Sequence, residues 1–173
     1  MKVSLSLPTN KIKKGWEGSL LLPLTQVTNQ HKGSFGTYVV KQVLEFLYGI
    51  TCTVISDRGD LDTSKGRSEV KCAFASYTSG TSEEFWWNQV RPKQEGWEYL
   101  HLVGFARDRV LVWELTREQF LSLGNIVGEG HVEGEGAGTL KEVKVKRNSR
   151  TDTISLLDSY LIATISAEDV NIM

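Results

Sequence analysis

The chain has 173 residues, carries 20 Lys and Arg against 21 Asp and Glu, and is 40% hydrophobic. That length is one domain's worth, enough to bury roughly 70% of the unfolded surface without disulfide or metal support. The composition excludes collagen-like, coiled-coil and wholly disordered chains, and the near-neutral charge excludes a free-standing nucleic-acid coater, though not a DNA enzyme that holds DNA weakly by itself.

The first 34 residues show little periodicity. LSL and SLLLPL read as short extended segments around a basic turn, NKIKKG. There is no apolar h-region, so no signal peptide is expected, and Leu20-Leu21-Leu22 is halted by Pro23, far short of the roughly 20 apolar residues of a membrane span. Two cysteines, Cys52 and Cys72, are too few for a disulfide framework and fit a soluble protein in a reducing compartment.

Residues 37–48 carry Val40, Val43, Leu44 and Leu47 at i, i+3, i+4 and i+7. This spacing predicts an amphipathic helix with Thr37 as N-cap and Gly49 as stop. ITCTVIS, residues 50–56, is β-branched and uncharged and predicts a largely buried strand. After the polar stretch DRGDLDTSKGR, SEVKCAFAS alternates, with Val70, Cys72 and Phe74 on one face and Glu69 and Lys71 on the other.

Thr81 with Glu84 fits a capping box, predicting a short helix over EEFWWNQV that ends before Pro92. Residues 99–105 and 110–115 predict two strands joined at ARDR, and Thr116 with Gln119 predicts a second capped helix, REQFLSL, stopped by Gly124. The Gly-rich, acidic residues 124–139 read as a mobile loop. A basic strand, KEVKVKR, and an apolar segment, ISLLDSYLIATI, follow. The order predicts a single α/β domain over residues 1–173, with a central mixed sheet flanked by helices.

The stretch from Asp57 to Lys71 holds the chemistry. A turn at residues 63–66, with Gly66 in the left-handed position, places Asp60 about opposite Glu69 on the neighbouring strand. Two facing carboxylates repel, and a divalent cation with hard-oxygen preference such as Mg2+ is one reason for the pair to exist. Lys71 shares the face of Glu69, where its ammonium can orient a water or stabilise charge on a phosphate. Asp60, Glu69 and Lys71 are therefore the candidate catalytic residues, with Asp60 and Glu69 as metal ligands. Asp57 and Asp62 also precede Glu69, so the choice of aspartate stays open, as does an ordinary turn role for all three.

Asp60-x8-Glu69-Val-Lys71, on a hairpin preceded by a helix with an acidic residue, resembles the PD-(D/E)XK nuclease motif. From Gly36 to Glu114 the chain also resembles the small catalytic subunits of heterodimeric type IIS-like restriction endonucleases, through SEVKCAFAS, FWWNQVRP and RVLVWEL. Gly59 stands where the motif name places proline. The resemblance implies a restriction-endonuclease-like core in a cytoplasmic prokaryotic protein. It implies a Mg2+-dependent endonuclease that cuts one strand of double-stranded DNA, with a larger partner subunit supplying sequence recognition. It further implies that Glu45 joins the metal site and that Gln89 and Arg91 support the active centre or hold DNA. For Glu45 the residues themselves equally allow a surface pair with Lys41 at i,i+4.

Other signals lead elsewhere. His31, His101 and His131 are isolated and give no zinc spacing, the glycines of GEGHVEGEGAG form no P-loop, and no nucleophile elbow occurs. Trp86 and Trp87 fit either core packing or base stacking. Lys141, Lys144, Lys146, Arg147 and Arg150 fit either a DNA-backbone track or a solvated strand face. Two further functions remain open at this point: a self-sufficient homodimeric restriction enzyme, and a non-enzymatic α/β interaction module.

Overall fold

A computed structural model describes residues 13–55, 60–78, 82–92, 96–129 and 141–170. A short helix, α1 (Leu22–Thr25), stands where an extended segment is expected, with Pro23 in its first turn. Pro is favoured there because its missing N–H would have no partner anyway. Nearby, Trp16 is fully buried and its indole N–H donates to the Ala75 carbonyl at 3.0 Å.

Helix α2 (Asn29–Tyr48) starts eight residues before the expected one. Its N-cap is Thr28, whose hydroxyl accepts from the His31 amide, while Thr37 lies inside the helix and donates to the Gly33 carbonyl. Gly49 ends it at φ 62°, the left-handed conformation expected of a stop glycine. The buried side runs through Gly36, Val40, Val43 and Leu44.

Then come β1 (Cys52–Val54), β2 (Leu61–Thr63), β3 (Gly66–Phe74), β4 (Glu83–Val90), β5 (Tyr99–Phe105) and β6 (Arg109–Thr116). The capped helix α3 (Arg117–Ser122) follows, with both halves of the Thr116–Gln119 capping box formed. Strands β7 (Val127–Glu129) and β8 (Lys141–Arg147), a 3-10 turn at Ile154–Tyr160 and β9 (Leu161–Ser166) complete the chain. Strand β7 forms within the segment read as loop; residues 130–139 of that segment lie outside the described residues.

The six-stranded sheet has the order β1-β2-β3-β5-β6-β9. It is mixed: β3 and β5 are parallel and the other neighbours antiparallel. Strand β1 is an edge, so it is not the buried strand expected: Thr53 is exposed and Val54 is 61% exposed. Helix α2 covers one face, where Cys72 and Val103 lie under Gly36. The opposite face is not covered by a helix, as expected, but by a second, three-stranded sheet of order β4-β8-β7.

This second sheet explains the fate of EEFWWNQV. Each side chain of a strand alternates between faces. Phe85 and Trp87 therefore turn inward and stack at 5.4 Å, Trp87 meets Trp113 edge-on, and its indole donates to the Val103 carbonyl at 2.9 Å. Trp86 turns outward. Antiparallel pairing with β8, from Glu83↔Arg147 to Val90↔Lys141, overrides the helix signal. The Thr81 half of that signal lies outside the described residues. Gly104 admits the arrangement: a Cβ there would stand 2.9 Å from Phe85 and 3.0 Å from Trp113.

Candidate functional site

The hairpin forms as expected. Leu61, Asp62 and Thr63 pair with Ser68, Arg67 and Gly66, and Gly66 adopts φ 130°. One step beyond this ladder, the Asp60 amide donates to the Ser68 carbonyl at 2.8 Å, while its own carbonyl accepts from Ile55 at 3.0 Å. Here β2 leaves β3. The next inward N–H of β3, that of Val70, is met by the Asp60 carboxylate instead of a backbone carbonyl, at 2.7 Å. The side chain of Asp60 is thus fixed by backbone geometry at the point where the strands part.

Glu69 is buried and pairs with the Lys71 ammonium at 2.5 Å. Alternation puts both on the face opposite Val70 and Cys72. Asp60 feels both groups: burial raises its carboxyl above the usual range, the Val70 amide opposes this, and Glu69 adds to the rise while Lys71 offsets it. Desolvation and a like charge work in the same direction, as for two carboxylates sharing one place. Cys72, on the α2 face of the same strand, is inert as a nucleophile, because desolvation and then the charge of Asp60 push its thiol up to about 12.

Glu45 stands elsewhere. Its carboxylate pairs with Lys41 at 3.3 Å, accepts from Gln42, and receives the Cys52 amide at 3.3 Å, capping the start of β1. Cys52 is level with Thr63, at the far end of β2 from Asp60. The surface pairing at i,i+4 is therefore the role the structure gives it. Among the described residues, no three His, Cys, Asp or Glu side chains gather as a metal centre would require. Asp60 and Glu69 form at most a two-carboxylate pair, the donor set with which Mg2+ commonly makes do beside water and phosphate. Asp62 is exposed on the outer side of β2, and Asp57 lies outside the described residues.

Gln89 and Arg91 fall at the end of β4, on the second sheet rather than on a helix. Between Trp87 and Val90 the ladder with β8 shifts register, and within this bulge Gln89 adopts φ 58°. A left-handed backbone at a non-glycine residue is uncommon and here absorbs the extra residue. The Arg91 carbonyl accepts from the Trp97 indole. On β8 the basic cluster is partly matched by acids: Lys144 lies 3.6 Å from Glu84 and Arg147 2.8 Å from Asp152. Trp86 is 52% exposed, donates to Glu142 and has the Lys144 ammonium 5.2 Å from its ring.

Two features escaped the sequence reading. His101, isolated in sequence, is buried in β5 and bonded through Nε2 to Glu114 of β6 at 3.1 Å, its partner in the ladder. That bond, ahead of nearby Lys65, holds the Glu114 carboxyl below the usual range despite its burial. The signal was one polar residue in each of two apolar strands. The second feature is a groove beside Asp60, lined by Gln30, Ser34 and Thr37, from the part of α2 that shows no apolar stripe. No family model, curated protein or solved structure matches this chain. No described helix is long and apolar enough to cross a membrane.

Proposed function

We propose that this chain is a Mg2+-dependent DNA endonuclease, the catalytic subunit of a restriction enzyme in a prokaryotic cytoplasm, which cuts one strand while a larger partner subunit supplies sequence recognition. The observation that carries the reading is the Asp60–Glu69–Lys71 group: two carboxylates that feel each other's charge with an ammonium held against one of them, Asp60 just ahead of β2 and the other two on β3. Such a set is costly to assemble in a partly buried place and needs a function to offset that cost. The likeness of Asp60-x8-Glu69-Val-Lys71 to the PD-(D/E)XK motif gives the group its chemical class.

In this reading Asp60 and Glu69 hold the cation, which supplies Lewis-acid stabilisation of charge on the phosphate. Lys71, held beside Glu69, would offer its N–H donors to the attacking water or to a phosphate oxygen. The water oxygen bonds to phosphorus and gives a proton to bulk water, the bond from phosphorus to the leaving oxygen breaks, and that oxygen takes up a proton from bulk water. Asp60 stays oriented throughout by the Val70 amide.

Recognition by a partner is supported by charge. Affinity for DNA comes largely from basic residues meeting phosphates, and here 20 of them are offset by 21 acids. The cluster on β8 is itself partly neutralised by Glu84 and Asp152. The test is conversion of supercoiled plasmid to nicked circle with Mg2+, with and without lysate of the native host. Cleavage by the wild type that disappears in both Asp60→Ala and Glu69→Ala is expected. Equal cleavage by the variants refutes the site. Site-specific double-strand cleavage by the chain alone refutes the subunit reading in favour of a homodimeric enzyme. No cleavage under any condition leaves the non-enzymatic interaction module.

A further inference from the structure

The end of β3 away from the β2–β3 hairpin leads to a second cluster of charges that the cleavage chemistry does not use. Tyr77 follows β3, Glu83 opens β4, Arg107 and Asp108 form the β5–β6 turn, Arg109 starts β6 and Arg147 closes β8, and all six line one cavity of about 180 Å3. Sites for whole small molecules are mostly apolar and hold about 300 Å3 or more. Here, among the described residues, no aliphatic side chain lines the cavity. Size and lining together fit a single charged group rather than a base or an entire metabolite.

The side chains set the sign of that group. Glu83 is buried, and its carboxylate is already engaged by Arg109 at 2.6 Å and by the Tyr77 hydroxyl at 3.4 Å. Asp108 takes the other terminal nitrogen of Arg109, at 2.7 Å. Both lining acids are thus held by one arginine. Arg107 pairs with no carboxylate among the described residues. Its guanidinium lies 5.3 Å from the Tyr77 ring, and Tyr77 is fixed in turn, its hydroxyl accepting from the Arg107 amide at 2.9 Å. Burial pushes the Tyr77 phenol up to about 12, so it adds no negative charge. Arg147 gives its Nε to Asp152 at 2.8 Å, an exposed and therefore weak pair that leaves both terminal nitrogens for a ligand. Residues 79–81, which adjoin the cavity in sequence, are Ser, Gly and Thr and bring no charge.

We propose that this cavity is a phosphate-group site, held by Arg107 and Arg147. A tetrahedral group with several acceptor oxygens can meet two guanidinium forks from separate elements, whereas a carboxylate has two oxygens and fills one fork. Two sources offer that chemistry: a backbone phosphate of a DNA strand and free phosphate. The backbone source rests on the nuclease reading. Leu102 is the neighbour of Lys71 on β5, and Arg107 lies only five residues beyond it. At about 3.3 Å per residue the cavity is within about 20 Å of Lys71. One duplex, rising about 3.4 Å per base pair, reaches both.

The experiment uses the full chain in EDTA, so that neither cleavage nor a cation contributes. Sodium phosphate, compared with sodium chloride at equal ionic strength, should raise the melting temperature of the wild type. Arg107→Ala and Arg147→Ala should each abolish the rise, while Arg150→Ala, outside the cavity, keeps it. Fluorescence anisotropy of a duplex of about 20 base pairs, followed across salt, reads the backbone source. Each cavity variant should bind about tenfold more weakly and lower the slope of log K against log salt by about 1, as for one lost phosphate contact. A lost phosphate response with an unchanged slope assigns the site to free phosphate and refutes the backbone source. A lowered slope without a response to free phosphate supports the backbone source alone. A response and a slope that neither cavity substitution changes, or that Arg150→Ala changes equally, overturn the site. With no metal present, that result leaves Mg2+ cleavage by the wild type untouched, and failure of the nuclease reading leaves the phosphate response in place.

Discussion

Substituting Gly36 by alanine sets two calculable effects against each other. Gly36 sits in the buried face of α2, and a helix interior favours alanine over glycine by about 0.8–1 kcal/mol. Against this, a Cβ at position 36 would stand 1.8 Å from the Cys72 sulfur of β3, with the Cys72 Cβ at 3.4 Å and a Val103 methyl at 3.9 Å. The sulfur must move or the helix must lift, and forced rearrangement of this kind costs about 1–3 kcal/mol. Gly36→Ala should therefore destabilise the protein by up to about 2 kcal/mol. Removing the sulfur reverses the sign. In a Cys72→Ala background the 3.4 Å Cβ contact and the 3.9 Å Val103 methyl contact remain, so the helix preference emerges and Gly36→Ala becomes neutral or stabilising. The coupling between the two substitutions should reach about 2 kcal/mol, well above the few tenths of independent sites. Urea denaturation of the four proteins, compared at constant slope, measures it. Stabilisation by Gly36→Ala alone, or an equal effect in both backgrounds, would show that α2 does not seat on β3 as described.

Because burial and Glu69 raise its carboxyl, Asp60 weakens the native state as pH climbs through and above the range between its ordinary and its raised value; Asp60→Asn should thus be more stable than wild type at pH 7, by a margin that shrinks toward acid pH, as thermal melts across pH would show. Lys71→Ala should keep calorimetric Mn2+ binding while losing most cleavage, since an ammonium does not ligate the cation; equal loss of both would make Lys71 a structural part of the site. Glu114 behaves oppositely to Asp60: its lowered carboxyl contributes stability above the ordinary carboxylate range that is lost as pH falls through its folded value, and Glu114→Ala, which removes the carboxylate bonded to the buried His101, should cost about 1–3 kcal/mol at neutral pH in denaturant titrations. Trp87→Ala should cost about 3–5 kcal/mol, whereas Trp86→Ala should cost about 1 kcal/mol or less, a contrast that chemical denaturation resolves readily.

Features closed within a few residues of chain were legible from local spacing. The Thr63–Gly66 turn needs only a glycine at a left-handed position, and it sets the β2–β3 register from Thr63↔Gly66 to Leu61↔Ser68, one residue short of Asp60. The Thr116–Gln119 capping box closes within one helical turn, and the α2 stop is set by Gly49. The Glu45–Lys41 pair is likewise local, readable at i,i+4.

Tertiary structure decided whatever depends on a partner far along the chain. EEFWWNQV carries a credible helix start, yet its backbone bonds go to β8, more than fifty residues on, and its inward aromatics fill the space above Gly104 and Trp113. Residues 29–36 show weak helix preference because of Gly33 and Gly36, but Gly36 is what lets α2 approach Cys72, a reason invisible without β3. His101 meets Glu114 only through the β5–β6 register. In each case a hydrogen bond or contact outweighs local preference because burial makes an unmet partner cost more than a propensity of a fraction of a kcal/mol can offset.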